Sequence, residues 1–358
     1  MSDPATTTPG PSKSRMRHFA DILNPLFWHD DFYKMDRMFE WACTLVRAAG
    51  LKDTGWDSYT ESLALLTDLT NLMHIDLPND KFPQPADTNA RLALISYCHV
   101  LEMDFPYELL ANLLRLRLNL KYAMSPLSHL NRPIDKKING VRTIVRIAPA
   151  SPDKKIKEIV ELSAKAGLPE VGTALKGIYN PTIRNAVYHS DYAIHDNSMH
   201  LLSGNYLSKK NGILTPEITF DELAEITGDA FAFHTALLAL WRRARKSFTD
   251  FRGKFLPYDQ YYKGILEFMY DDDILIGFRV YWPNGTLSTC TRNENGQSWA
   301  QNIHFNPDGS INFFLGVFAS NPGPFSPCVE AGAEPHYAAV PETDKHPYWP
   351  QMLAAYEL

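Results

Sequence analysis

The sequence predicts an α+β protein, a long helical body followed by a C-terminal antiparallel β-meander of about five strands. Three observations carry that prediction. Through residue 254, most segments repeat apolar residues at three- and four-residue steps. Three hairpin dipeptides then follow at regular spacing, Asn284-Gly285, Asn295-Gly296 and Asp308-Gly309, and such pairs supply the positive φ that tight hairpins need. The runs around them are β-branched and aromatic, the residue types that suit a pleated, half-buried surface.

The elements are justified in chain order. Residues 1–17, "MSDPATTTPGPSKSRMR", are polar, carry no signal-peptide core and read as a disordered tail. A helical segment over 18–86 includes "DFYKMDRMFEWACTLVRAA" and "YTESLALLTDLTNLM" and closes on the Pro-rich link "HIDLPNDKFPQPADT". A helical domain over 87–254 opens with "TNARLALISYCHVLEM" and "YELLANLLRLRLNLKY". Two further helices are expected over "RPIDKKINGVRTIVRIA" and "SPDKKIKEIVELSAKAG". The second has Ser151 as cap, Pro152 at the first helical position and Gly167 as stop. "GLPEVGT" has the glycine spacing of a phosphate-binding loop but lacks its Lys and follows a helix, so it reads as a plain loop. Asn180 and Pro181 open the next helix in the same cap roles. The last helix begins at a capping box, Thr219 to Glu222, and carries the stripe Leu223, Ile226, Ala230, Phe233, Leu237, Trp241. The meander over 255–320 is built from "ILEFMY", "ILIGFRVYW", "TLSTCTR", "SWAQNIHF" and "INFFLGVF". Residues 321–358 read as an irregular, Pro-rich tail.

Composition narrows the class. Hydrophobic residues make up 45% and charged ones 21%, ordinary values for a globular chain. The most apolar stretch, "LLANLLRLRLNLKY", carries Arg115 and Arg117, so no membrane span is expected. Cys43, Cys98, Cys290 and Cys328 are far apart with no C-x-x-C pair, which reads as reduced thiols in a cytoplasmic protein. The net charge of −6 is uneven: from residue 255 onward there are 12 Asp/Glu against 4 Lys/Arg. Positive charge clusters at Arg132, Lys136, Lys137, Arg142, Arg146, Lys154, Lys155 and Lys157. A second cluster is Arg242, Arg243, Arg245, Lys246, Arg252 and Lys254, which also suits the negative end of a helix dipole. Clusters of this kind can neutralise phosphates, and Arg142, Arg146, Lys154 and Lys155 are the candidate RNA contacts. The aromatic residues Trp282, Trp299, Phe313 and Phe314 read as sheet core in preference to a base-stacking platform.

The common catalytic signatures G-x-S-x-G, H-E-x-x-H and G-x-G-x-x-G are absent. "HSDYAIHDNSMH" gathers His189, Asp191, His195, Asp196 and His200, but the spacing fits no metal-binding pattern, and neither a metal nor a cofactor is expected. Asn284-Gly285-Thr286 matches a glycosylation sequon without a secretion signal. What remains is "NPTIRNAVYHSDY", residues 180–192. On a helix Asn185 and His189 are four apart and share a face, with Arg184 turned about 100° away and long enough to reach the same rim. An imidazole, an amide and a fork-shaped cation are the parts needed to cleave RNA without metal. His189 takes a 2′-hydroxyl proton, Arg184 holds the phosphate and its transition-state charge, and Asn185 fixes the ring or contacts a phosphate oxygen.

"RNAVYH", with its preceding "NPTI" turn and the downstream long helix, resembles the R-x4-6-H motif of HEPN domains over roughly residues 87–250. The resemblance implies a helical bundle that forms a homodimer, with two motifs facing across a two-fold cleft. It implies an endoribonuclease acting on RNA, with Arg184, Asn185 and His189 catalytic and a 2′,3′-cyclic phosphate as product. Many such proteins are toxins or phage-defence effectors, which implies a neutralising antitoxin or a trigger-binding partner. Others only bind nucleotides or RNA, so a non-catalytic binding or scaffold protein is the alternative. In that case Arg184 pairs with a carboxylate such as Glu102 or Glu108. One departure is visible. In HEPN toxins neutralised by a partner nucleotidyltransferase a Tyr lies two residues after the His, whereas Tyr192 lies three after His189. Tyr192 therefore reads as a core or rim aromatic and only secondarily as an RNA contact.

Overall fold

A computed structural model describes residues 13–50, 59–72, 75, 77–78, 80–138, 141–202, 204–209, 211–258, 264–282, 286–306, 311–314 and 327–329. The protein is α+β, with helices through the first two-thirds and an antiparallel five-stranded sheet near the C-terminus. The helices are α1 (Lys13–Phe27), α2 (Met35–Val46), α3 (Tyr59–Leu72), α4 (Pro85–Glu102), α5 (Asp104–Arg117), α6 (Pro152–Lys165), α7 (Pro169–Gly177), α8 (Pro181–His189) and α9 (Phe220–Ser247). Between α5 and α6 lie β1 (Arg132–Ile138) and β2 (Val141–Ala148). Between α8 and α9 lie β3 (Tyr192–His195), β4 (Ser198–Leu201), β5 (Leu207–Ser208), β6 (Leu214–Thr215) and β7 (Glu217–Thr219). After α9 come β8 (Phe255–Tyr258), β9 (Gly264–Asp271), β10 (Ile274–Tyr281), β11 (Leu287–Arg292), β12 (Ser298–Gln301), β13 (Ile303–Phe305), β14 (Ile311–Phe314) and β15 (Pro327–Val329).

The chain forms two compact units, each discontinuous in sequence. The first comprises Met1–Leu23, Ser62–Pro106 and Ser151–Ala239; the second comprises Asn24–Glu61, Tyr107–Ala150 and Leu240–Leu358. Compactness thus groups the chain differently from the consecutive blocks 18–86, 87–254 and 255–320. A change of composition marks where strands begin, whereas a unit is set by which elements pack together.

In the first unit, Leu66, Val100, Met103 and Phe231 form a buried cluster with Leu69 and Leu238 against it. The predicted stripe of α9 is its inner face: Leu223, Ala230, Phe233 and Leu237 are buried, and each large side chain there contributes roughly 1.5–3 kcal/mol. The capping box forms as read, with the Thr219 N–H donating to Glu222 Oε2 at 3.0 Å and the Glu222 N–H donating to Thr219 Oγ1 at 3.3 Å. Arg15 donates to Asp229 at 3.2 Å and to the Glu225 carbonyl at 3.0 Å. Residues 13–17 accordingly belong to α1, a correction to the tail expected over 1–17; residues 1–12 lie outside the described residues. The stretch Phe220–Phe251 is long and apolar enough by length and composition to cross a membrane, but 61% of its most apolar window is buried inside the protein, as in a core helix.

Four further expectations are corrected. "GLPEVGT" runs into α7, a helix opened by Pro169 at its start. Gly172 is the close-approach point for α6: a Cβ there would lie 2.4 Å from Ser163 Oγ and 2.8 Å from Val160 Cα. Gly172→Ala should therefore destabilise the protein by about 1–3 kcal/mol through overpacking, read as a lower urea midpoint. An unchanged midpoint would show that α7 shifts freely. α6 itself stops as read: Gly167 has φ 72, and the Leu168 N–H reaches back to the Ser163 carbonyl at 2.9 Å.

In the second unit, the segment expected as a helix over 132–148 is the hairpin β1–β2, paired from Arg132↔Ala148 to Ile138↔Val141. Val141, Ile144 and Ile147 recur at a helical step, but all three are 65% exposed. The Asn139-Gly140 pair between two β-branched runs is the signal that outweighs that period. The five-stranded sheet runs β12-β11-β10-β9-β8, every neighbour antiparallel. Its membership differs from the expected meander. β8 is the fifth strand, and "INFFLGVF" supplies β14 to a separate sheet β13-β14-β15. Asn302 explains the split of "SWAQNIHF": at φ 53 it turns the chain out of the sheet, and its side chain donates to the Leu287 carbonyl at 2.9 Å. β15 also places Pro327–Val329 in a strand within the tail expected to be irregular. Helix α2 lies on this sheet, with Phe39 edge-on to Tyr258 at 5.0 Å and to Phe278 at 4.8 Å. The dipeptides Asn284-Gly285 and Asp308-Gly309, and residues 330–358, lie outside the described residues.

Candidate functional site

The site is built on α8 in the first unit. Asn180 caps it as read, its Oδ1 accepting from the backbone N–H groups of Thr182 and Ile183 at 3.1 Å each. Ile183 and Ala186 are buried, and α8 packs against α4. Tyr97 of α4 locks the entry to the helix: its hydroxyl accepts from the Asn180 N–H at 2.8 Å and donates to the Ile178 carbonyl at 2.9 Å. Burial pushes the Tyr97 hydroxyl pKa well up, so it is a fixed structural hydroxyl. At the other end Ser190 adopts φ 54 and the Asp191 N–H returns to the Ala186 carbonyl at 2.8 Å, stopping the helix one residue after His189.

Arg184 is held, not free. Its Nε and Nη2 donate to Glu102 Oε1 at 2.8 and 2.6 Å, and Glu102 is the last residue of α4. Its Nη1 donates to Asn185 Oδ1 at 3.1 Å, and its guanidinium lies over the Tyr188 ring at 4.6 Å. The side chains of the pair are 27% and 31% exposed. Burial works to lower the Arg184 pKa, but the hydrogen bonds and charge of Glu102 outweigh it and raise the value. Beside them, burial pushes the Cys98 thiol up to about 12, which leaves it unreactive.

Asn185 and His189 are exposed, four residues apart on the outer face, and His189 makes no hydrogen bond among the described residues. The predicted trio is therefore brought to one rim, with Arg184 reaching Asn185 as expected. Glu102, foreseen as one bundle partner, occupies the Nε/Nη2 edge of the guanidinium. Three of the five guanidinium N–H groups are used, which leaves one on Nη1 and one on Nη2 to meet an anion. The roles of Tyr97 and Tyr188 were missed; the four-residue spacing of Arg184 and Tyr188 was the available signal for the second.

The candidate RNA contacts fare unevenly. Lys154 and Arg146 are exposed. Lys155 is buried at 7% exposure and ion-paired with Asp104, so it is corrected from RNA contact to structural cation. Arg142 pairs in register with Lys137 in β2 of the second unit, together with Arg146, whereas Lys154 and Lys155 belong to the first. Tyr192, read as a core or rim aromatic, is half-buried in β3 opposite Leu201. The adjoining His195 and His200 sit on the β3–β4 hairpin, whose turn residues Asp196 and Asn197 both have positive φ. Among the described residues no group of three or more His, Cys, Asp or Glu is placed to hold a metal ion.

Members of the second basic cluster make contacts within the chain, although only Arg245 is buried. Arg245, 3% exposed, donates to the Leu275 carbonyl at 2.8 Å and pairs with Glu294 at 2.7 Å. Lys246 pairs with Asp273 at 2.5 Å. Arg243 stacks on Trp28 at 5.0 Å and Arg252 on Tyr270 at 4.9 Å. Of the aromatics expected in the sheet core, Trp282 and Phe313 are buried, while Trp299 is 64% exposed on the edge strand β12, a correction.

Compared with known proteins, the chain matches no family model, no curated protein and no solved structure.

Proposed function

We propose that the protein is a HEPN-type, metal-independent endoribonuclease, a cytoplasmic toxin or defence effector acting as a homodimer. The observation that supports the reading is the exposed Asn185–His189 row with Arg184 bonded to Asn185 at its rim. His189 removes the 2′-hydroxyl proton and the oxygen attacks the adjacent phosphorus. The 5′-oxygen leaves with a proton, and a 2′,3′-cyclic phosphate remains. One helix turn cannot easily place groups on both sides of a phosphate. A second copy supplies the opposite wall, with its own His189 and Arg184. An antitoxin or trigger-binding partner would act on this same cleft.

The Arg184–Glu102 pair favours a second reading, a HEPN-like protein that binds RNA or nucleotides without cleaving them, because a charge-paired guanidinium stabilises a phosphate less. Incubating the purified protein with total RNA in EDTA separates the two. Catalysis predicts cleavage that survives EDTA and leaves cyclic-phosphate and 5′-hydroxyl ends. Binding without cleavage selects the second reading, and cleavage restored only by Mg²⁺ or Mn²⁺ rejects the metal-free mechanism.

A further inference from the structure

The hairpin β1–β2 is a two-stranded sheet by itself, and among the described residues neither strand packs substantially against another element. Isolated two-stranded ribbons are marginal in water, so one with this much exposed surface is expected to have an outside partner. Arg132, Pro133, Lys136, Val141, Ile144, Arg146 and Ile147 are all exposed on it. None of Arg132, Lys136 and Arg146 has an ion-pair partner among the described residues, in contrast to Lys155, Arg245 and Lys246. Residues 132–148 carry five Lys/Arg and one Asp.

We propose that this ribbon is a binding arm for duplex DNA. Its charge selects a polyanion. It also disfavours the ribbon of a second copy, because a two-fold pairing would set like charges opposite each other. The sequence of the ribbon has no Phe, Tyr, Trp or His. It therefore lacks the stacking surface by which proteins hold single strands. The major groove of A-form RNA is too narrow for side chains to read, whereas the B-form major groove, about 12 Å wide, admits a two-stranded β-ribbon. Strands of seven and eight residues reach about 25 Å at ~3.3 Å per residue, enough to follow that groove for over half a turn. Arg132, Lys136 and Arg146 meet the flanking phosphates, and Ile144 and Ile147 supply apolar contact of the kind that thymine methyl groups accept.

The test measures binding of the full chain to a fluorescent 20-base-pair DNA duplex, with the matching RNA duplex and single-stranded RNA as separate arms. The proposal expects the DNA duplex to bind most tightly. The triple variant Arg132→Ala/Lys136→Ala/Arg146→Ala should lose at least tenfold in affinity, with the slope of log K against log salt shallower by about three. The charge-keeping variant Arg132→Lys/Lys136→Arg/Arg146→Lys should retain binding, and melting curves should coincide because all three positions are exposed. Equal DNA binding by the triple variant would overturn the assignment. So would a larger loss of RNA affinity than of DNA affinity in the triple variant, or a change of oligomeric size in place of a change in DNA affinity. RNA cleavage is not a readout here, so this arm stands or falls independently of the ribonuclease reading.

Discussion

His189→Ala should lower metal-free RNA cleavage about 10²–10⁴-fold, the usual worth of a positioned general base. The melting temperature should stay within a degree or two, because His189 is exposed at the end of α8 and makes no hydrogen bond among the described residues. Single-turnover cleavage of a short fluorogenic RNA reads the effect directly. Cleavage at the unaltered rate would remove His189 from the chemistry. Arg184→Lys sharpens the assignment. A lysine can keep an ion pair with Glu102, but it cannot hold Glu102, Asn185 and a phosphate together, since it lacks the planar fork. The variant should therefore stay folded and cleave poorly. If it cleaves as the unaltered protein does, Arg184 serves the fold through Glu102 alone.

The second large effect concerns Glu40 on α2, a carboxyl buried in the second unit. Burial pushes its pKa up from 4.5 to about 7, against the Tyr122 backbone N–H, which donates to Oε2 at 2.7 Å and lowers it. Folding therefore takes up a proton. The stability contributed by this group is complete below about pH 4.5 and is lost as pH rises through 7. The full swing is about 3 kcal/mol. Glu40→Gln keeps an oxygen for the Tyr122 N–H and removes the titration. Urea unfolding from pH 5 to pH 8 should show the unaltered protein losing stability relative to the variant, most steeply between the two pKa values and levelling off above pH 7. Parallel curves would mean that Glu40 ionises without cost, through water or a rearrangement of Arg37 and Lys121.

The sequence by itself determined the elements whose signals are local. The capping box at Thr219 and Glu222, the caps at Asn180 and Gly167 and the apolar stripe of α9 all depend on neighbours within one or two turns, and each stands where it was read. The α+β class followed, because helical period and hairpin dipeptides are also local. Tertiary structure decided what depends on partners far along the chain. Gly172 reads as a loop residue until Val160 and Ser163 of α6 lie against it. "INFFLGVF" reads as a fifth meander strand until Asn302 turns the chain into another sheet, leaving β8 to complete the first. The residues of the candidate site were legible as a six-residue pattern, and their common rim follows from helix geometry. The state of Arg184 was not, because the charge that holds it comes from Glu102, 82 residues earlier. Two basic clusters also look alike in sequence. In one of them Arg245 is buried against Glu294, Lys246 pairs with Asp273, and Arg243 and Arg252 lie over Trp28 and Tyr270, whereas Arg132, Lys136 and Arg146 of β1–β2 have no ion-pair partner among the described residues. Charge is written in the sequence; whether it is already neutralised is a property of what packs beside it.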